Sequence, residues 1–179
     1  MNGKIVKTIV RNRIWLNEKS LYESMIVDAP KSAQGYVGLA YWYYNREDII
    51  KASLYLQKGQ EIYADHPRLL NLDAALSFRS GDLDAAEEAT IKSINLLPGP
   101  VNHLMYAIIL TEKREFEKSL DIIGRFIDSP FYGKDEQTTM TIRYLAALNL
   151  HRMGKVEEAK QYFDLDSIDL NEGASRLSP

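Results

Sequence analysis

From Ala33 onward, apolar residues recur at helical spacing for about 13 positions, break at a short polar turn, and resume for about 13 more. That pattern predicts helical hairpins, and it repeats along the chain. The stretch Tyr43 to Ala52 returns in pattern as Ser77 to Ala86, Leu110 to Ser119 and Leu150 to Ala159, at offsets of 34, 33 and 40 residues. A second column of small residues, Ala40, Ala74, Ala107 and Ala147, gives the same offsets. Each hairpin therefore carries a small pair, Ala40/Ala52, Ala74/Ala86, Ala107/Ser119 and Ala147/Ala159. A bulky side chain where the two helices cross would hold their backbones apart. Ile49, Leu83, Phe116 and Val156 follow the turns and are expected to fill the wedge between the helices. Gly81 and Gly154 suit a left-handed turn residue and Asp82 suits a cap, whereas Glu47 and Arg114 hold the equivalent turn site without glycine's freedom. The 40-residue step implies about six inserted residues, placed within Asp128 to Gln137. The expected units are 33–66, 67–99, 100–139 with the insertion, and 140–169 with a cap. A helix or half repeat over 1–32 precedes them and a tail over 170–179 follows.

This period and column pattern resemble the tetratricopeptide repeat, a helix-turn-helix unit of 34 residues. The resemblance implies an all-α fold, a right-handed solenoid whose first helices line a concave surface for peptides or partner helices. Carried onto this sequence, the surface-facing columns are Gln34, Val37, Tyr41, Tyr44 and Asn45, then Arg68, Asn71, Ala75, Phe78 and Arg79. The third and fourth units supply Leu104, Ile108, Thr111 and Glu112, then Tyr144, Leu148, His151 and Arg152. Of these, Tyr41, Tyr44, Asn45, Arg68, Asn71, Phe78, Arg79, Leu104, Ile108, Tyr144, His151 and Arg152 form the candidate partner site. Aromatic anchors, amides and arginines are what a protein-contacting surface uses. Arg68, Arg79 and Arg152 suit carboxylates, either on a ligand or on acidic residues of the array. In Tyr41-Trp42-Tyr43-Tyr44, four aromatics in a row cover every face of a helix, so they cannot all be core. Tyr43 is expected to pack while Tyr41 and Tyr44 face the groove.

The chain's ends read differently. Trp15 to Pro30 looks like the second helix of a preceding unit with its closing proline. The string Arg11-Asn12-Arg13-Ile14-Trp15, then Glu18, Leu21-Tyr22, Pro30 and Ser32-Ala33, resembles the junction between the last membrane helix and the repeat domain of membrane O-mannosyltransferase-like proteins. That resemblance implies an extracytoplasmic accessory domain that positions acceptor polypeptide for an active site lying elsewhere. Met1 to Trp15 interleaves Lys4, Lys7, Arg11 and Arg13 with apolar residues. This spacing suits an amphipathic helix near a membrane surface or against the first unit, and it lacks the continuous apolar core of a signal peptide. Asp164 to Gly173 is acidic without the spacing of a calcium loop and reads as a polar cap and tail.

Composition removes alternatives. A 179-residue chain that is 45% hydrophobic can bury a core, and the formal charge of −3 gives no general attraction to nucleic acid. Without cysteine there is no thiolate chemistry and no Cys-ligated metal. No phosphate loop, dinucleotide fingerprint or nucleophile elbow occurs. His66, His103 and His151 are scattered, and the neighbours Glu87-Glu88 and Glu157-Glu158 point about 100° apart on a helix, so neither pair converges for acid–base work. The sequence thus predicts no cofactor, no metal and no catalysis by this chain. Its expected role is a scaffold for another protein or peptide, with a membrane-proximal accessory domain and a self-assembling homo-oligomer beside it. It assigns no compartment: a free-standing chain would be cytoplasmic and a glycosyltransferase fragment extracytoplasmic.

Overall fold

The computed structural model describes residues 17–130 and 132–163. The basic stretch before Trp15, Phe131 of the expected insertion, and the acidic segment from Asp164 lie outside the described residues. Those described form helices joined by turns, with no strand among them. In order these are α1 (Glu18–Asp28), α2 (Ala33–Tyr44), α3 (Ile49–Ile62), α4 (Pro67–Ser80), α5 (Leu83–Leu96), α6 (Pro100–Glu112), α7 (Phe116–Ile127), α8 (Glu136–Arg152) and α9 (Val156–Lys160). The pairs α2/α3, α6/α7 and α8/α9 are helical hairpins, and α4 runs into α5 through a turn of the same kind, the all-α tetratricopeptide-like architecture.

The register rests on the small residues. All eight positions of the Ala/Ser columns are buried to 2% or less, as close helix crossing requires. The turns repeat one design. Asp48, Asp82, Glu115 and Lys155 donate their N–H to the carbonyls of Tyr43, Ser77, Leu110 and Leu150 at 2.8–3.1 Å. The residue before each of them is left-handed: Glu47 at φ 59°, Gly81 at 84°, Arg114 at 61° and Gly154 at 78°. This is the Schellman closure, which satisfies carbonyls at a helix end. The first two second helices are then capped by Asp48 and Asp82, whose side chains accept from Lys51 N and Ala85 N, while Glu115 and Lys155 make no side-chain cap bond.

Two expectations change. The 40-residue step is shared between a loop and a longer helix, because Asp135 caps α8 by accepting from Thr138 N at 2.7 Å. That starts α8 at Glu136, ahead of the expected unit boundary at 140, and gives it 17 residues against 12–14 in α2, α4 and α6. Tyr132 ties the loop down, its ring edge-on to Phe126 at 6.4 Å. Val156, expected in the hairpin wedge, is 39% exposed.

The chain divides into two compact units, residues 1–76 and 77–179. In the first, Val37, Ala40, Leu56, Leu69 and Leu72 form one cluster, and Leu39, Tyr43 and Ala52 form another with Tyr22 and Ile26 of α1. The backbones of α1 and α2 come together at two glycines. A Cβ on Gly38 would lie 2.1 Å from the Tyr22 ring, and one on Gly35 would lie 2.7 Å from Ile26 Cγ1. In the second unit, Ala107, Ile123, Phe126, Ile142 and Leu145 build the main core, and Ala147, Leu150 and Ala159 a smaller one. A buried polar chain crosses it. Asn149 Nδ2 donates to Ser119 Oγ (2.8 Å), and Ser119 Oγ and Thr111 Oγ1 both donate to the Ala107 carbonyl (2.9 and 2.8 Å).

Candidate interaction site

In the first unit, α2 and the first turns of α4 position the candidate residues. Tyr41 donates its hydroxyl to the Arg68 carbonyl at 2.9 Å, and the Arg68 guanidinium lies 4.9 Å from the same ring's centre. Burial pushes the Tyr41 phenol's pKa up, against a smaller lowering by the Arg68 charge. Arg68 is exposed and holds no carboxylate among the described residues; the Tyr41 face steadies it instead, a cation–π arrangement. Gln34 and Asn45 are exposed and Asn71 is half-buried. Tyr44 packs against both clusters of this unit. Val37 and Ala75, expected on the surface, are core.

The Tyr41–Tyr44 run divides around the helix. Tyr43 is buried and stacks on Tyr55 at 5.4 Å with the rings nearly parallel, while Trp42 meets Tyr43 edge-on at 4.9 Å. Cations cover this aromatic ladder: Arg46 lies 3.8 Å from the Trp42 ring centre, Lys51 5.2 Å from Tyr43 and Lys58 5.6 Å from Tyr55.

In the second unit, α6 and α8 pack beside one another, and that contact consumes the middle of the expected surface. Ile108 is a core side chain and presents nothing to a partner, a correction to its place in the candidate site. Leu148 is buried as well, and Thr111 is buried in the α6/α7 crossing beside Ser119. Leu104 and Phe78 are half-buried against the main cluster, and Tyr144 turns its ring edge-on to Phe163 at 5.8 Å. Arg79, His151 and Arg152 are exposed, as is Glu112.

Sequence reasoning missed a pocket at the turn end of this unit. Glu112 at the end of α6, Arg114 in the turn, Phe116 at the start of α7 and Arg152 at the end of α8 line a cavity of 460 Å³. The available signal was Arg114 itself, an arginine at a left-handed turn site that two other hairpins give to glycine.

The remaining titratable groups serve structure. Lys113 bridges Asp84 and Glu87 at 2.6 Å each. Hydrogen bonds to these carboxylates raise the Lys113 pKa far above its ordinary value, and Lys113 in turn lowers that of Asp84. Glu87 also accepts from the Tyr106 hydroxyl at 3.3 Å, whereas its neighbour Glu88 pairs outward with Lys92 at 2.7 Å, so the two carboxylates diverge. Burial lowers the His66 pKa, with Arg68 adding to it. His103 Nδ1 sits 2.8 Å from the Gly99 carbonyl. Among the described residues no three potential ligands gather around a metal position, and no helix is long and apolar enough to cross a membrane.

No family model matches the chain, and no curated protein matches it. Solved structures do. The chain is similar to MamA of AMB-1, a tetratricopeptide-like helical repeat protein, at TM-score 0.60 over 80% of this chain and 78% of that one, with 13% sequence identity. At that identity the likeness shows the fold alone, and the fold it shows is the tetratricopeptide-like hairpin array.

Proposed function

We propose that this chain is a non-catalytic scaffold that holds another protein or peptide on the exposed face of its first helices. The observation that carries this reading is the Tyr41–Arg68 pair. A guanidinium held over a ring, with the ring's hydroxyl tied to the arginine's own carbonyl, is ordered before a partner arrives. Ordering a long side chain beforehand removes about 0.5–1.5 kcal/mol of the cost of immobilising it on binding. Asn45 and Gln34, exposed on the same helix as Tyr41, offer amide donors and acceptors. The tetratricopeptide-like fold fits protein partners, and the chemistry of the face fits them too. Aromatic and arginine side chains are the anchors that carry binding energy at protein interfaces.

The test is affinity capture from native extract with the wild-type chain beside an Asn45→Glu/Arg68→Glu variant, each shown by circular dichroism to keep its helicity. A polypeptide retained by the wild type and lost by the still-helical variant is the expected result. Equal retention by both would remove the first-helix face of the first unit from the reading.

A further inference from the structure

We infer that the pocket at the turn end of the second unit is a carboxylate-recognition site, taking one Asp or Glu side chain of a peptide together with an adjacent apolar residue. The inference rests on the scaffold reading for the class of partner, but on its own residues for the chemistry. Its first support is a census of cations. In this unit Lys113 holds Asp84 and Glu87, Lys118 holds Glu115, Arg125 holds Asp121, Lys155 holds Glu158 and Lys160 holds Glu157. Lys92 pairs with Glu88, Arg143 donates to the Tyr162 carbonyl, and Arg79 and Lys134 have partners of their own. Arg114 and Arg152 are the two basic side chains of the unit without an ion pair or side-chain hydrogen bond among the described residues, and both line the same 460 Å³ cavity.

The second support is the backbone at Arg114. A left-handed φ of 61° costs a residue with a Cβ on the order of 1–2 kcal/mol, a cost that glycine avoids at the equivalent Gly81 and Gly154. The turn itself therefore gains nothing from arginine, whereas the cavity gains a guanidinium at its rim. Glu47 bears the same strain at φ 59°, so what sets Arg114 apart is its place in the lining of the cavity.

The lining also sets the ligand's charge. Among the described residues of the lining, Arg114 and Arg152 oppose Glu112, leaving one net positive charge, which matches a single carboxylate. A doubly charged phosphate would face Glu112 with its excess charge uncompensated. Phe116 gives the cavity an apolar wall, and Glu112 offers an acceptor to a peptide N–H. Two planar guanidiniums can each grip a carboxylate in bidentate fashion, which a lone lysine cannot do.

The experiment uses the full chain and a blocked peptide with one aspartate next to one leucine in a glycine–serine background, titrated while following the arginine side-chain N–H resonances. Matched peptides carry asparagine or phosphoserine in place of the aspartate. The expected result is binding of the aspartate peptide with shifts at Arg114 and Arg152, weakened about tenfold by Arg114→Gly and again by Arg152→Gln. Binding should be lost with the asparagine peptide. Arg114→Gly relieves the left-handed turn, so its unfolding midpoint should rise while its affinity falls, a combination that a purely structural arginine would not give. Unchanged affinity in Arg114→Gly, equal binding of the asparagine peptide, or tighter binding of the phosphoserine peptide would each overturn the assignment. Arg114 lies off the first-helix face, so a partner lost by Asn45→Glu/Arg68→Glu but kept by Arg114→Gly would overturn this inference alone and leave the scaffold reading standing.

Discussion

The two units share a hairpin frame and close it by different chemistry. In the first, α1 and α2 approach until only hydrogen fits at Gly35 and Gly38, and an aromatic ladder of Trp42, Tyr43 and Tyr55 seals the outside. In the second, the corresponding depth is mostly aliphatic around Phe126, and buried hydrogen bonds from Asn149 to Ser119 and from Ser119 and Thr111 to the Ala107 carbonyl cross it. A repeat register therefore fixes where helices cross, while leaving each crossing free to be closed by backbone contact, by aromatic stacking or by buried polar groups. The same substitution should consequently have opposite effects in the two units.

The largest effect is expected at Gly38. Gly38→Ala drives a Cβ into the Tyr22 ring and should cost about 2–3 kcal/mol in urea denaturation, with part recovered in Gly38→Ala/Tyr22→Ala. Gly124, inside α7, has nothing within 4 Å of a built Cβ, so Gly124→Ala should gain about 1 kcal/mol from helix propensity alone. A loss at Gly124 or a gain at Gly38 would break the contrast.

The polar chain comes next. Ser119→Ala introduces the residue that the other three hairpins carry at this position. It nevertheless removes the acceptor of the fully buried Asn149 amide and should cost about 1–2 kcal/mol. Adding Asn149→Leu should recover most of it, because Asn149 Oδ1 is buried without a partner already. Failure of the double variant to recover would mean that the network does more than satisfy itself. At the turns, Glu47→Gly and Arg114→Gly should each gain about 0.5–1 kcal/mol, the relieved left-handed strain less glycine's extra entropy.

The smallest effect is electrostatic. The Asp84 pKa is lowered by Lys113, so the stability from that contact is present above the ordinary aspartate pKa and is lost as pH falls through the lowered folded value. Lys113→Met should flatten the acid limb of a stability–pH profile in the second unit. Asp84 lies toward solvent while Lys113 is half-buried, so high salt should shrink the difference in part.

Much of the frame was legible in the sequence. The Ala/Ser columns gave the crossings of α2/α3, α6/α7 and α8/α9, and the column through Glu47, Gly81, Arg114 and Gly154 gave all four turns, because close approach and left-handed backbone each demand particular residue types. The candidate surface was legible only in part. Asn45, Arg68 and Arg152 are exposed and Tyr41 is half-buried, whereas Ile108 and Leu148 are buried. Column position tells which side of a helix a residue occupies, while the packing of α6 on α8 decides whether that side meets solvent. The Gly35/Gly38 approach and the pocket at Arg114 were hidden for a related reason. Each depends on residues from another helix, Tyr22 and Ile26 of α1 for the glycines and Arg152 of α8 for the pocket, and the spacing within one helix does not encode those contacts.

The most direct test of the scaffold account is site-specific photo-crosslinking in native extract, with the photoreactive residue placed at Asn45 on the first-helix face and, separately, at Gln57 on the exposed side of α3. The account predicts that a discrete polypeptide becomes attached through position 45 and not through 57. Attachment through 57 with none through 45 would place the working surface on the second helices and contradict it.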